Sequence, residues 1–157
     1  MITLRHLTTN KKPKVALNAH TLNLARDFVL LRWKARAEEY GLIEPHDLSR
    51  SCKFSCLFVQ DTFGGKIEAN EEHCFNKING IIVDLNEFSI DVLTMDEPYT
   101  HDPEFLAEPD FHHSLDSCME RVKGWVKDFH VIAVEKGYAI TPEPPLKTRA
   151  SSFTLKP

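Results

Sequence analysis

The middle third of the chain presents Cys52, His73 and Asp84 in an order that suits nucleophilic catalysis. A cysteine attacks a carbonyl as its thiolate, with a base to take its proton and an acid to orient that base. Cys52 stands where the local pattern opens a helix. The unpaired amides and partial positive charge of a first turn favour a thiolate there. Cys56 lies one turn deeper on the same face, where burial raises a thiol's pKa and keeps it inert. Of the two, Cys52 is the expected nucleophile.

His73 and Asp84 flank the dipeptide Asn79-Gly80, which sits between two strand-like runs, His73 to Ile78 and Ile81 to Asn86. Asn and Gly both tolerate positive φ, so this is the strongest hairpin signal in the chain. With these two as the turn, Ile78 faces Ile81 and Phe75 faces Asp84. His73, Phe75, Ile82, Asp84 and Asn86 then share one face of the ribbon. Cys74, Asn76, Ile78, Ile81, Val83 and Leu85 share the other. The diagonal from His73 to Asp84 spans roughly 5.5–8 Å between backbone positions, within side-chain reach. A carboxylate there fixes the imidazole tautomer and leaves the second nitrogen for the thiol. Asn86, directly opposite His73, offers its amide oxygen for the same task. Both remain candidates for the third position. A one-residue slip in register would remove Asp84 from the face altogether.

The elements that must position these groups follow from periodicity. A helix from about Thr21 carries Leu24, Phe28, Leu31 and Ala35 on one stripe, widened by Trp33, Ala37 and Tyr40, and stops at Gly41. The cysteine helix opens near Ser51, where Ser49 or Ser51 can cap it, and ends at Gly64. Lys66-Ile67-Glu68-Ala69 reads as a short edge strand. Residues 93–112, rich in Asp, Glu, Pro and His, read as a long surface loop. A last helix from near Ser114 carries Leu115, Cys118, Met119, Val122, Trp125, Val126 and Phe129, and gives way to a strand at His130–Val134. Residues 1–18 read as an arm or a short strand at Val15–Leu17, and 141–157 as a loose tail with four prolines.

At 157 residues and 42% hydrophobic composition the chain suits one domain with a filled core, which excludes disorder along its whole length. A net charge of −4 argues against sequence-independent nucleic-acid binding. No apolar run approaches a membrane span. The start, Met1 to Leu7, has no apolar core or cleavage site, so the expectation is a cytoplasmic protein with reduced thiols. Cys52, Cys56, His73 and Cys74 give zinc a possible ligand set. The spacing lacks a second matching knuckle, however, and adjacent strand residues point apart, so no metal or other cofactor is expected.

The run from Cys52 through Val59-Gln60-Asp61 and Gly64-Gly65, then His73, Asn76, Ile78 and Gly80, then Asp84-Leu85, resembles the YunG-like family of small bacterial proteins. The order Cys, His, Asp is also similar to the wider papain-like fold, with its NlpC-type peptidases and transglutaminase-like proteins. The resemblance covers about 35 of the 157 residues. It implies a papain-like α+β fold with Cys52 as nucleophile, His73 as base and Asp84 as orienting acid. Ser51 stands where the pattern has glutamine, and Asn86 where it has threonine. The missing glutamine leaves the oxyanion to the Cys52 amide and a second donor, for which Gln60 is the candidate. The expected function is a cysteine-dependent amide hydrolase or acyl-transferase acting on a peptide or other amide substrate. The alternative is an inactive papain-like interaction module that meets a protein partner through the acidic loop 93–112.

Overall fold

The structure, a computed structural model, describes residues 1–141. Among these there are six helices and one three-stranded sheet, an α+β arrangement. The cysteine helix α3 (Cys52–Phe63) is its axis. Eight of its twelve residues are buried, because the long helix α6 (Pro109–Glu135) covers one side and the sheet the other. Phe58 is fully buried, meets Phe129 of α6 edge-to-face and stacks with Phe28 of α2 (Ala19–Glu39), at centroid distances of 5.4 and 6.0 Å. Burying one such ring contributes about 1.5–3 kcal/mol before cavity effects.

The sheet runs in the order β1 (Lys66–Ala69), β2 (Cys74–Ile78), β3 (Ile81–Val83), antiparallel throughout. The hairpin has the expected register, with Ile78 opposite Ile81 and Asn76 opposite Val83. Asn79 and Gly80 both take positive φ, 50° and 79°, as a two-residue turn of this kind requires. β1 lies on the edge, as expected.

Elsewhere the structure departs from the periodicity. Residues 1–18 are not an arm: α1 (Leu4–Thr8) buries Leu7, and Ile2 and Val15 are also core residues. Val15 forms an isolated bridge with Ala139, and Lys11 one with Gly65, so the segment is pinned by long-range pairing that no local pattern reveals. α2 begins two residues before Thr21 because Asn18 and Thr21 form a reciprocal cap. Its buried stripe is Thr21, Ala25, Phe28, Val29, Trp33 and Ala37, while Leu31 and Tyr40 are exposed. Apolar residues occur on several sides of this helix, and packing selects another phase. The stretch 93–112 is partly ordered as α4 (Ile90–Leu93), α5 (Pro103–Leu106) and the start of α6, which continues through His130–Val134 as helix. The strand expected there is absent because the apolar spacing of α6 carries on to Ala133. The loose tail falls outside the described residues apart from Thr141.

At the junction of α3 and β1 the backbone is closely approached, Gly64 by the Lys11 carbonyl and Gly65 by that of Lys77. Gly65 has φ 77°, and a Cβ there would lie 2.6 Å from the Lys77 carbonyl oxygen. Gly65→Ala is therefore expected to lower stability by about 2–4 kcal/mol in urea unfolding, from backbone strain and overpacking together. Gly124, inside α6 with nothing within 4 Å of its added Cβ, is the control. Gly124→Ala should be stabilising by about 0.5–1 kcal/mol.

Candidate active site

Cys52 is the first residue of α3 and is partly exposed. The residue before it does not cap the helix. Ser51 is fully buried, and its Oγ donates to the Leu48 carbonyl (2.7 Å) and accepts from Asn86 Nδ2 (3.1 Å). No side chain caps the first-turn amides, which stay free beside the thiol. Ser49 is likewise engaged elsewhere, accepting from the Asp91 amide.

The hairpin brings the candidate base and acid together. His73 and Asp84 are 3% and 6% exposed, and His73 Nε2 lies 2.7 Å from Asp84 Oδ2. The ring donates through Nε2–H, since a carboxylate only accepts. The Cys52 thiol sits beside the ring, and the two groups shift each other's titration. His73 Nδ1 is buried and has no hydrogen-bond partner of good geometry. One ring nitrogen is thus tied to an acid while the other is free beside a thiol.

Three more side chains complete this frame. Asp84 Oδ2 also accepts from the Tyr99 hydroxyl (3.0 Å), and its Oδ1 from the Asn86 amide (2.9 Å). Phe75 lies against the His73 ring at 6.0 Å between centroids. Asn70 organises the turn before His73: its Oδ1 accepts from the amides of Glu72 and His73, and its Nδ2 donates to the carbonyls of Pro98 and Thr100. That carries the Tyr99 loop to the site. Sequence reasoning missed Tyr99, which stands in the acidic stretch. It also missed Asn70, although Asn three residues before a strand signals an Asx turn.

Two expectations need correcting. Asn86 is not the histidine's partner: its side chain pins the lead-in of α3 at Leu48 and Ser51. Gln60 does not approach Cys52. It lies eight residues along α3, roughly 12 Å by helical rise, and its Nε2 donates to the His6 and Gly65 carbonyls. No second oxyanion donor comes from it.

The thiol's surroundings also differ from expectation. Hydrogen bonding to Cys74 and burial push the Cys52 thiol well above its ordinary range, and the His73 ring opposes them. Cys74 was expected on the face opposite His73. His73, however, precedes the first paired residue of β2, so strand alternation does not hold the two apart. Cys56 Sγ lies 3.5 Å from Cys74 Sγ, and burial raises the Cys56 thiol, as expected for the deeper cysteine. Burial pulls His73 down, but Asp84 and Cys52 outweigh it and lift the imidazole to about 9. All four cysteines are free, and no group of three or more His, Cys, Asp or Glu among the described residues is arranged to hold a metal ion.

Because Cys74 is the largest cause raising Cys52 and His73 the cause lowering it, the two variants separate. In alkylation by iodoacetamide with mass mapping, the wild-type midpoint at Cys52 should lie above that of an ordinary thiol at about 8.5. Cys74→Ala should lower the midpoint and His73→Ala should raise it. Comparison of this chain with family models, curated proteins and solved structures finds no match, so the site rests on its own geometry.

Proposed function

We propose that the protein is a cysteine-dependent amide hydrolase or acyl-transferase with a papain-like arrangement of Cys52, His73 and Asp84. The observation that supports this best is the division of labour on His73, with Nε2 held by Asp84 and Nδ1 unpartnered beside the thiol.

In the reaction, once the ring has lost its second proton towards its raised pKa of about 9, the neutral Nδ1 takes the Cys52 proton as sulfur bonds to the amide carbonyl carbon. The carbonyl π pair moves to oxygen, beside the free first-turn amides of α3. Asp84 stabilises the imidazolium through Nε2–H, and Tyr99 and the Asn86 amide keep the carboxylate fixed. The C–N bond then breaks, and the amine leaves with the proton from Nδ1. Water, or an acceptor amine in a transferase, attacks the thioester with His73 again as base. A cytoplasmic amide substrate and kinship with the YunG-like proteins belong to the same proposal. No helix of the described residues is long and apolar enough to cross a membrane.

An inactive module is the second reading. What favours it is the raised Cys52 thiol, together with Ser51, fully buried, in the position of the expected glutamine. Turnover of an amide panel discriminates the two. With the hydrolase, Cys52→Ala abolishes release of amine, and Asp84→Asn lowers kcat by about 10²–10⁴-fold by leaving the wrong tautomer. Tyr99→Phe costs about tenfold or less, because it removes one of three hydrogen bonds on the carboxylate. kcat/KM should rise towards alkaline pH, since His73 becomes a free base only as pH approaches about 9 and the raised thiol also yields its proton late. Equal amine release from wild type and Cys52→Ala would discard the proposal.

A further inference from the structure

Cys52, His73 and Cys74 line a cleft of about 270 Å³, and most of the charged residues on its remaining walls are carboxylates. Glu71 and Glu72 line it from the turn between β1 and β2. Glu108 and Asp110 line it from the start of α6, and Lys53 is the one lysine or arginine on its wall. Glu71 and Glu72 also border an adjoining groove lined by Asp96, Glu97 and Asp102. None of these seven carboxylates forms an ion pair among the described residues, whereas Glu39, Asp61, Glu87 and Asp128 are all paired with Arg or Lys.

A crowd of carboxylates is common on an acidic surface. This one surrounds a buried imidazole whose Nδ1 lacks a partner and which itself lines the cleft. The cleft also has an apolar wall, where Phe105 and Phe111 pack with ring centroids 4.8 Å apart. An alkyl stem lies well against such rings while its ammonium reaches the carboxylates. Like charges held together unpaired in a concave site repel one another, and a bound cation relieves that repulsion.

We propose that this cleft binds a lysine side chain flanking the amide bond presented to Cys52. The inference rests on the cysteine-hydrolase reading and names the substrate class of that site. An anionic flanking group is repelled, and a neutral one gains only the aromatic wall.

The test uses the full chain and three thiol reagents of one chemistry: trimethylammonioethyl, methyl and sulfonatoethyl methanethiosulfonate. Each rate at Cys52 is normalised to a free small thiol. The expected order is cation, neutral, anion, with about tenfold or more between the extremes, shrinking as salt is added. N-acetyl-lysine amide should protect Cys52 from the methyl reagent, and N-acetyl-norleucine amide should not. Glu71→Gln/Glu72→Gln should erase most of both effects. Glu38→Gln/Glu135→Gln, the same charge change placed away from the cleft, should erase neither. Equal normalised rates without lysine protection would overturn the lysine inference and leave a reactive Cys52 intact. A Cys52 inert to all three reagents, and indifferent to His73→Ala, would overturn the hydrolase reading and this inference with it.

Discussion

Asp84 is the point on which the site turns. It is a carboxylate almost fully withdrawn from water, and such a group is tolerated only when its oxygens are satisfied. Here they accept from the His73 ring, the Tyr99 hydroxyl and the Asn86 amide. Each donor belongs to a different stretch of chain. His73 enters β2, Asn86 leaves the hairpin, and Tyr99 comes from the segment between α4 and α5. Satisfying one buried charge therefore fixes three segments at once. Asn86 extends the constraint to Leu48 and Ser51, and so to the start of α3 and the thiol it carries.

The thiol sits between opposing influences. The imidazole on one side favours the thiolate, while Cys74 and the apolar interior on the other favour the thiol. The causes of the two shifts differ, Cys74 and burial raising Cys52 while Asp84 and then Cys52 raise His73, yet thiol and ring in contact titrate as a pair. The helix N-terminus, which by itself promises a low thiol pKa, is outweighed by these nearer neighbours. A thiol so placed stays protonated at neutral pH.

How much of this was legible in the sequence depended on whether the signal was local. Asn79-Gly80 states its own turn, and from that turn the register and the reach from His73 to Asp84 follow by counting. The cysteine helix was nearly as plain, because Gly64 marks its end, although the serines expected to cap its start have other partners. The segment around α1 was not legible, since Leu7 and Val15 are buried by partners more than fifty residues away. Gln60 failed for a related reason: it lies near Cys52 in sequence, but two helical turns carry it to the other end of α3. Tyr99 and Cys74 were hidden by their neighbours, one in an acidic stretch and one on a face that strand alternation assigned away from the histidine. Whether Asp84 or Asn86 holds the imidazole was open in the sequence, and the structure assigns it to Asp84.

The most direct test of the site is an NMR titration of the His73 ring nitrogens in wild type and in Cys52→Ala. If thiol, imidazole and carboxylate form one coupled unit, His73 titrates near 9 in wild type. It then falls when the thiol is removed, and Nε2 stays protonated throughout that range. A His73 that titrates near the ordinary 6.5 and ignores the loss of Cys52 would contradict the coupling and the catalytic role built on it.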